Sequence, residues 1–215
     1  LNVKLKQMDA TEINASGPIL SEKNLEELRK KLSALTQGDI LILSGSLPGS
    51  VTTDIYKDLM EEVDGKGIPV IVDAIGDALL KTLPLHPFLM KPNHQELSEL
   101  FDVELSTREQ VIPYAEKLQE WGAQNVLVSL GGAGAVLLDQ NGVVYESEVP
   151  RGKLINAVGA GDSMVAGFLA GYLEKQDFAH AFLMGMAAGS ASAFSEGLAD
   201  RATVEQLYQQ LKKNS

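Results

Sequence analysis

The 215-residue chain contains no cysteine. That excludes a disulfide framework and thiolate metal sites, and it suits a reducing cytoplasm, where the chain is expected to work. Its three histidines, His86, His94 and His180, are scattered without zinc spacing and read as surface or helix residues. Positive charge is scarce as well. The 18 Lys and Arg against 29 Asp and Glu leave a net charge of −11, which argues against a nucleic-acid partner, because phosphate backbones demand basic patches. A small anionic substrate held by a few local donors remains compatible. No apolar run reaches the roughly 18 residues of a membrane-spanning helix, so no membrane partner is expected. No G-x-x-x-x-G-K-[ST] occurs either, which excludes a P-loop.

What is present is an ordinary globular composition, 45% hydrophobic and 22% charged, enough for one sizeable domain with a small appendage. Apolar runs at 39–44 (DILILS), 68–74 (IPVIVDA), 88–90 (FLM) and 125–130 (NVLVSL) read as buried strands. Helical spacing lies between them: Leu25, Leu28, Leu32 and Leu35 behind Ser21; Tyr56, Leu59, Met60 and Val63 behind Thr53; Val111, Tyr114, Leu118 and Trp121 behind a capping box of Ser106 with Glu109. This alternation predicts an α/β fold with a mostly parallel sheet covered on both faces. Residues 135–139 and 143–147 then read as a hairpin turning at Asn141-Gly142. Small-residue helices over 161–173 and about 177–194 follow, with a last helix capped by Thr203 and Gln206. Residues 1–14 read as part of a small β lid and 15–215 as one α/β domain. The opening LNVKLK is already strand-like, so the front of a longer protein is expected ahead of it.

The segment VGAGDSMVAG (158–167) places Asp162 directly behind two glycines, at the first turn of a helix. A helix start presents unpaired N–H groups and about half a positive charge, and glycines there let a ligand approach the backbone. Gly159, Ala160 and Gly161 thus suit an anion whose charge grows during reaction, an effect worth roughly a hundred- to a thousandfold per donor. Asp162 beside them suits removal of a proton from an attacking hydroxyl. Base and anion hole together describe phosphoryl transfer to an alcohol. An acid in a helix's first turn, followed by small residues for helix packing, is the competing structural account. GGAGAV (131–136) follows a strand as a dinucleotide fingerprint would, but the residues after it form a strand and hairpin where that fold needs a helix.

Taken together, NAVGAGDSMVAGF (156–168), GDILILSGSLP (38–48), KPNHQE (91–96) and SLGGAGAVL (129–137) resemble, in order and spacing, the ribokinase-like (PfkB) family of sugar kinases. The resemblance covers essentially the whole chain, and the opening stretch is most similar to the branch acting on phosphorylated ketohexoses. It implies a ribokinase-like three-layer α/β/α fold with a remnant of the lid. It also implies ATP and Mg2+ as cofactors, and a homodimer meeting through the lids. The implied reaction is ATP-dependent conversion of fructose 1-phosphate to fructose 1,6-bisphosphate. Tagatose 6-phosphate is the alternative acceptor, and a non-catalytic nucleotide or sugar-phosphate sensor the alternative of another class.

By the same resemblance Asp162 is the general base, and the backbone of Gly159, Ala160 and Gly161 holds the transferred phosphoryl group. Lys91, Asn93 and Glu96 serve phosphate and magnesium, the last two through water, on a spacing that suits one helical face. Ser129, Leu130, Gly131, Gly132, Ala133 and Gly134 carry the nucleotide, and Ser190 lines its adenine pocket. Ser44, Gly45 and Ser46 face the sugar side, and Lys4 on the lid pairs with the sugar phosphate. The family's front part, with its substrate-binding Asp and G-G-K-G segment, has no counterpart in these residues.

Overall fold

A computed structural model describes residues 2–5, 11–14 and 17–214. The chain divides into two units, Leu1–Pro87 and Phe88–Ser215. In the first, β1 (Asn2–Leu5) and β2 (Thr11–Asn14) pair antiparallel, with Lys4 opposite Glu12. The Lys4 side chain lies outside the described part. Helix α1 (Glu22–Ser33) begins at Ser21, whose hydroxyl accepts from the Asn24 N–H in a reciprocal capping box. Strands β3 (Leu41–Ser44) and β4 (Val70–Asp73) pair in parallel. Between and after them come α2 (Ile55–Glu61) and α3 (Gly76–Leu80). Leu43, Ile71, Val72, Leu59, Met60 and Leu79 form the core of this unit.

The second unit opens with β5 (Leu89–Met90), parallel to β6 (Asn125–Ser129). Strands β7 (Ala135–Leu138) and β8 (Val144–Ser147) continue antiparallel as the expected hairpin. Its turn is organised by buried Asp139, whose carboxylate accepts from the N–H groups of Asn141 and Val143 and from the Tyr145 hydroxyl. Asn125, fully buried, donates to the Phe88 carbonyl and accepts from the Gln140 N–H, so a polar residue inside a strand stays satisfied while tying three segments together.

Around these strands lie α4 (His94–Phe101), α5 (Arg108–Glu120), α6 (Ala160–Lys175), α7 (Phe178–Ala193) and α8 (Arg201–Asn214). Two caps differ from the sequence reading. The cap of α5 is Thr107 with Gln110, one residue later than Ser106 with Glu109, because the Gln110 side chain reaches back to the Thr107 and Ser106 N–H groups. At α8 the Asp200 carboxylate, not Thr203, accepts the first-turn N–H; Thr203 is the donor, at 2.8 Å. Helices α6 and α7 pack backbone to backbone: a Cβ on Gly167 would stand 2.6 Å from the Met184 carbonyl oxygen, and one on Gly185 would stand 2.9 Å from that of Met164. His180 is a buried helix residue whose Nδ1 lies 2.7 Å from the Tyr208 hydroxyl. Among the described residues no helix is long and apolar enough to cross a membrane.

Candidate active site

Gly159 has a left-handed backbone (φ 77°) and forms the N-cap of α6. Side chains of Ser21, Asn93, Thr107 and Asp177 accept first-turn N–H groups at the starts of α1, α4, α5 and α7. No side chain does so at α6. Ala160 turns its N–H back to the Ala157 carbonyl at 3.2 Å, which leaves Gly161 and Asp162 to present the amides of this start. Asp162 stands in the same turn with its carboxylate exposed. Lys91, only 5% exposed, comes up from the end of β5, and a Cβ on Gly161 would lie 3.2 Å from its Nζ. A buried ammonium and the positive end of a helix therefore converge, an arrangement that favours an anion.

A cavity of about 490 Å³ opens against this start. Its walls are Ala157, Ala160 and Gly161; Lys91, Asn93 and His94; Ser129, Gly131, Gly132 and Gly134 of the β6–β7 turn; and Met186, Gly189, Ser190 and Ala193 along α7, with Phe194 beyond. The loop and the KPN segment are held side by side, since the Ser129 N–H donates to the Pro92 carbonyl and Asn93 pairs with Ser129. Gly134 is obligatory: its φ is 96°, and a Cβ there would run into the Ser147 carbonyl oxygen.

Most residues singled out for the nucleotide thus share one cavity, but not all. Leu130 turns its side chain into the core, and Ala133 faces a neighbouring cleft with Arg108 and Glu148. Gly159, Asp162 and Glu96 adjoin lining residues without lining the cavity themselves. Asn93 and Glu96 do not share a helical face. Asn93 precedes α4 as its N-cap, its side-chain Oδ1 accepting from the Gln95 and Glu96 N–H groups, while Glu96 Oε2 accepts from the Asn93 N–H at 2.8 Å. Ser44, Gly45 and Ser46 belong to the other unit. There the Tyr56 hydroxyl donates to the Ser44 and Gly45 carbonyls at 2.8 and 3.1 Å, and burial pushes the Tyr56 phenol pKa up.

Sequence reasoning did not single out Met186, Gly189 and Ala193, although with Ser190 they repeat at helical spacing and mark one face of α7. Val149, Leu154 and Phe194 come from irregular segments that carry no periodic signal.

The β6–β7 loop, the uncapped helix start and the α/β frame are together those of a carbohydrate kinase outside the P-loop class. The pattern of the pfkB family carbohydrate kinases matches residues 2–204, and the chain belongs to that family. It is 45% identical over 212 residues to 1-phosphofructokinase of Bacillus subtilis, covering 99% of this chain and 70% of that protein. It is 33% identical over 213 residues to D-tagatose-1-phosphate kinase of Bacillus licheniformis, covering 99% and 70%. Phosphofructokinase-2 of Escherichia coli, solved with substrates and products, superposes with a TM-score of 0.88 at 31% identity, over 98% of this chain and 70% of that one. The expected ribokinase-like α/β/α fold is borne out. The chain is an ATP-dependent sugar-phosphate kinase.

Proposed function

We propose that the protein transfers the terminal phosphoryl group of ATP to the free primary hydroxyl of fructose 1-phosphate, giving fructose 1,6-bisphosphate. The observation that carries this reading is the α6 start: no side chain caps it, it is flanked by buried Lys91, and it bears Asp162 in its first turn. Asp162 takes the hydroxyl proton as the oxygen attacks. On the turn that begins at Gly159, the amides of Gly161 and Asp162, with the Lys91 ammonium, bind the negative oxygens of the group in transit. The backbone of the 129–134 loop holds the rest of the nucleotide, and Ser190 borders its base. Ser44, Gly45 and Ser46, at the end of β3 and fixed through Tyr56, are assigned to the acceptor, with Lys4 for its phosphate.

Magnesium fits the donors present. Among the described residues no group of three or more His, Asp and Glu could hold a metal alone. The capping box engages Oε2 of Glu96 and sets its carboxylate beside Asn93. Magnesium bound largely by water and phosphate needs no more than one or two carboxylates. Asn93 and Glu96 would hold it through water, and it would neutralise charge on the phosphates.

The acceptor assignment draws on the similarity to 1-phosphofructokinase. The similarity to a D-tagatose-1-phosphate kinase supports a second acceptor, the C4 epimer. We place the reaction in the cytoplasm and the protein in a homodimer joined through β1 and β2. ADP release by the full chain on fructose 1-phosphate, fructose 6-phosphate, tagatose 1-phosphate and tagatose 6-phosphate tests the reading. A preference for fructose 1-phosphate in kcat/KM is expected. Preference for another sugar moves the acceptor, and no turnover on any of them overturns the proposal.

A further inference from the structure

Gly152 lies on the segment that leaves β8 and runs to the start of α6. Its φ is outside the left-handed region, so alanine would suit its backbone. What a Cβ would meet there is a neighbour: it would overlap the Cδ2–Cε2–Cζ edge of the Phe194 ring. Phe194 immediately follows α7, is half-buried and lines the cavity. Among the described residues that line it, Phe194 alone carries a phenyl ring. The two segments are joined beside this contact. The N–H groups of Ile155 and Asn156 both donate to the Ala193 carbonyl, at 2.9 and 3.0 Å, and the Asn156 amide donates to the Glu196 carbonyl at 3.2 Å. From there the same segment gives Leu154 and Ala157 to the cavity wall and continues into Ala160 and Gly161. One short stretch of backbone therefore links the Phe194 ring to the anion-binding helix start.

We infer that Gly152 is a positioning residue for the nucleotide: its missing Cβ lets the Phe194 ring lie against the 150–158 segment, and that ring is the wall on which the purine of ATP stacks. The inference rests on reading this cavity as the nucleotide site. Stacking of a base on an aromatic ring contributes about tenfold or more to affinity. A methyl group at 152 drives the ring from its place while leaving the hydrogen bonds to the Ala193 carbonyl intact, so it acts on nucleotide binding and not on the proton transfer.

The test is a double-mutant cycle of Gly152→Ala and Phe194→Leu, by steady-state kinetics with melting curves to confirm folding. Gly152→Ala is expected to raise the KM for ATP about tenfold, with kcat within about twofold and the KM for the sugar phosphate unchanged. In the Phe194→Leu background the same change is expected to add little, because the ring it displaces is gone. An unchanged KM for ATP, a parallel fall of kcat, or full additivity of the two changes would overturn the inference. A third variant, Ser190→Phe, separates this from failure of the underlying reading, with ATP binding followed by calorimetry. If Ser190→Phe binds ATP at full affinity, the nucleotide lies elsewhere and reading and inference go together. If it loses ATP while Gly152→Ala keeps the parent KM, the inference alone is overturned.

Discussion

Asp162 and Gly134 constrain the chain at single positions, one through chemistry and one through space. The Asp162 carboxylate makes no contribution to capping its own helix and stands exposed in the first turn. Asp162→Asn keeps the shape and removes the basicity. The expected outcome is ATP binding within a few-fold of the parent and kcat lower by at least ~100-fold, the usual scale of general-base loss. Unchanged turnover would take Asp162 out of the mechanism. Gly134 is constrained by backbone on both counts, a φ of 96° and the Ser147 carbonyl oxygen where a Cβ would be. Neither is the flexible end of a side chain, so relief requires moving β8. Gly134→Ala is expected to cost about 1–3 kcal/mol, read as a lower denaturation midpoint, with ATP binding weakened because the loop shifts.

At the scale of elements, the starts of α5 and α8 show how local hydrogen bonding chooses among neighbouring candidates. Thr107→Ala is expected to destabilise the unit by about 1 kcal/mol, the usual worth of an N-cap, and Ser106→Ala by clearly less. Equal losses in chemical denaturation would contradict the assignment of the cap to Thr107. At α8, hydrogen bonds from the Thr203 backbone N–H and hydroxyl hold the Asp200 carboxyl below its ordinary value of 3.8. A carboxyl lowered by folding stabilises above its unfolded pKa and loses that contribution as pH falls through its folded one. The stability difference between the parent and Asp200→Ala should therefore be constant near neutrality and shrink below about pH 3.8.

The same helices show what was legible in the sequence. Strands β3 to β6 are legible from their apolar runs, the β7–β8 hairpin from the Asn141-Gly142 turn, and helices α6 and α7 from the small residues that let them pack closely. The caps at 106–107 and 200–203 were misplaced because two adjacent polar residues both satisfy the pattern, and only the reach of the Gln110 and Asp200 side chains separates them. The helix start at Asp162 is legible because glycines beside an acid mark a helix N-terminus, but helix packing accounts for the same residues, and only the order and spacing of the other motifs separate the two readings. The apolar wall made by Val149, Leu154 and Phe194 was not legible, since it is assembled from irregular segments distant in sequence.

For the whole molecule, the division of the chain has a consequence for its ligands. Every residue that lines the 490 Å³ cavity belongs to Phe88–Ser215, whereas Ser44, Gly45 and Ser46 belong to Leu1–Pro87. A ligand that binds only the native state stabilises it by mass action, about 2.7 kcal/mol at a hundredfold excess over Kd. Local protection against amide exchange rises where contacts form. ATP alone is therefore expected to slow exchange in the 129–134 loop, the 152–161 segment and the end of α7. Fructose 1-phosphate alone is expected to slow exchange at the β3 end and in the Tyr56 turn that supports it. The Tyr56 hydroxyl is what makes the second half of this sharp. It fixes the carbonyls of Ser44, the last residue of β3, and of Gly45 after it, so a sugar held there reports through α2 as well as through the loop. Tyr56→Phe removes those two hydrogen bonds without changing the ring, and should raise the KM for the sugar phosphate while leaving the ATP-dependent protection of the second unit intact. Loss of both responses together would mean that Tyr56 serves the stability of the molecule and not its acceptor.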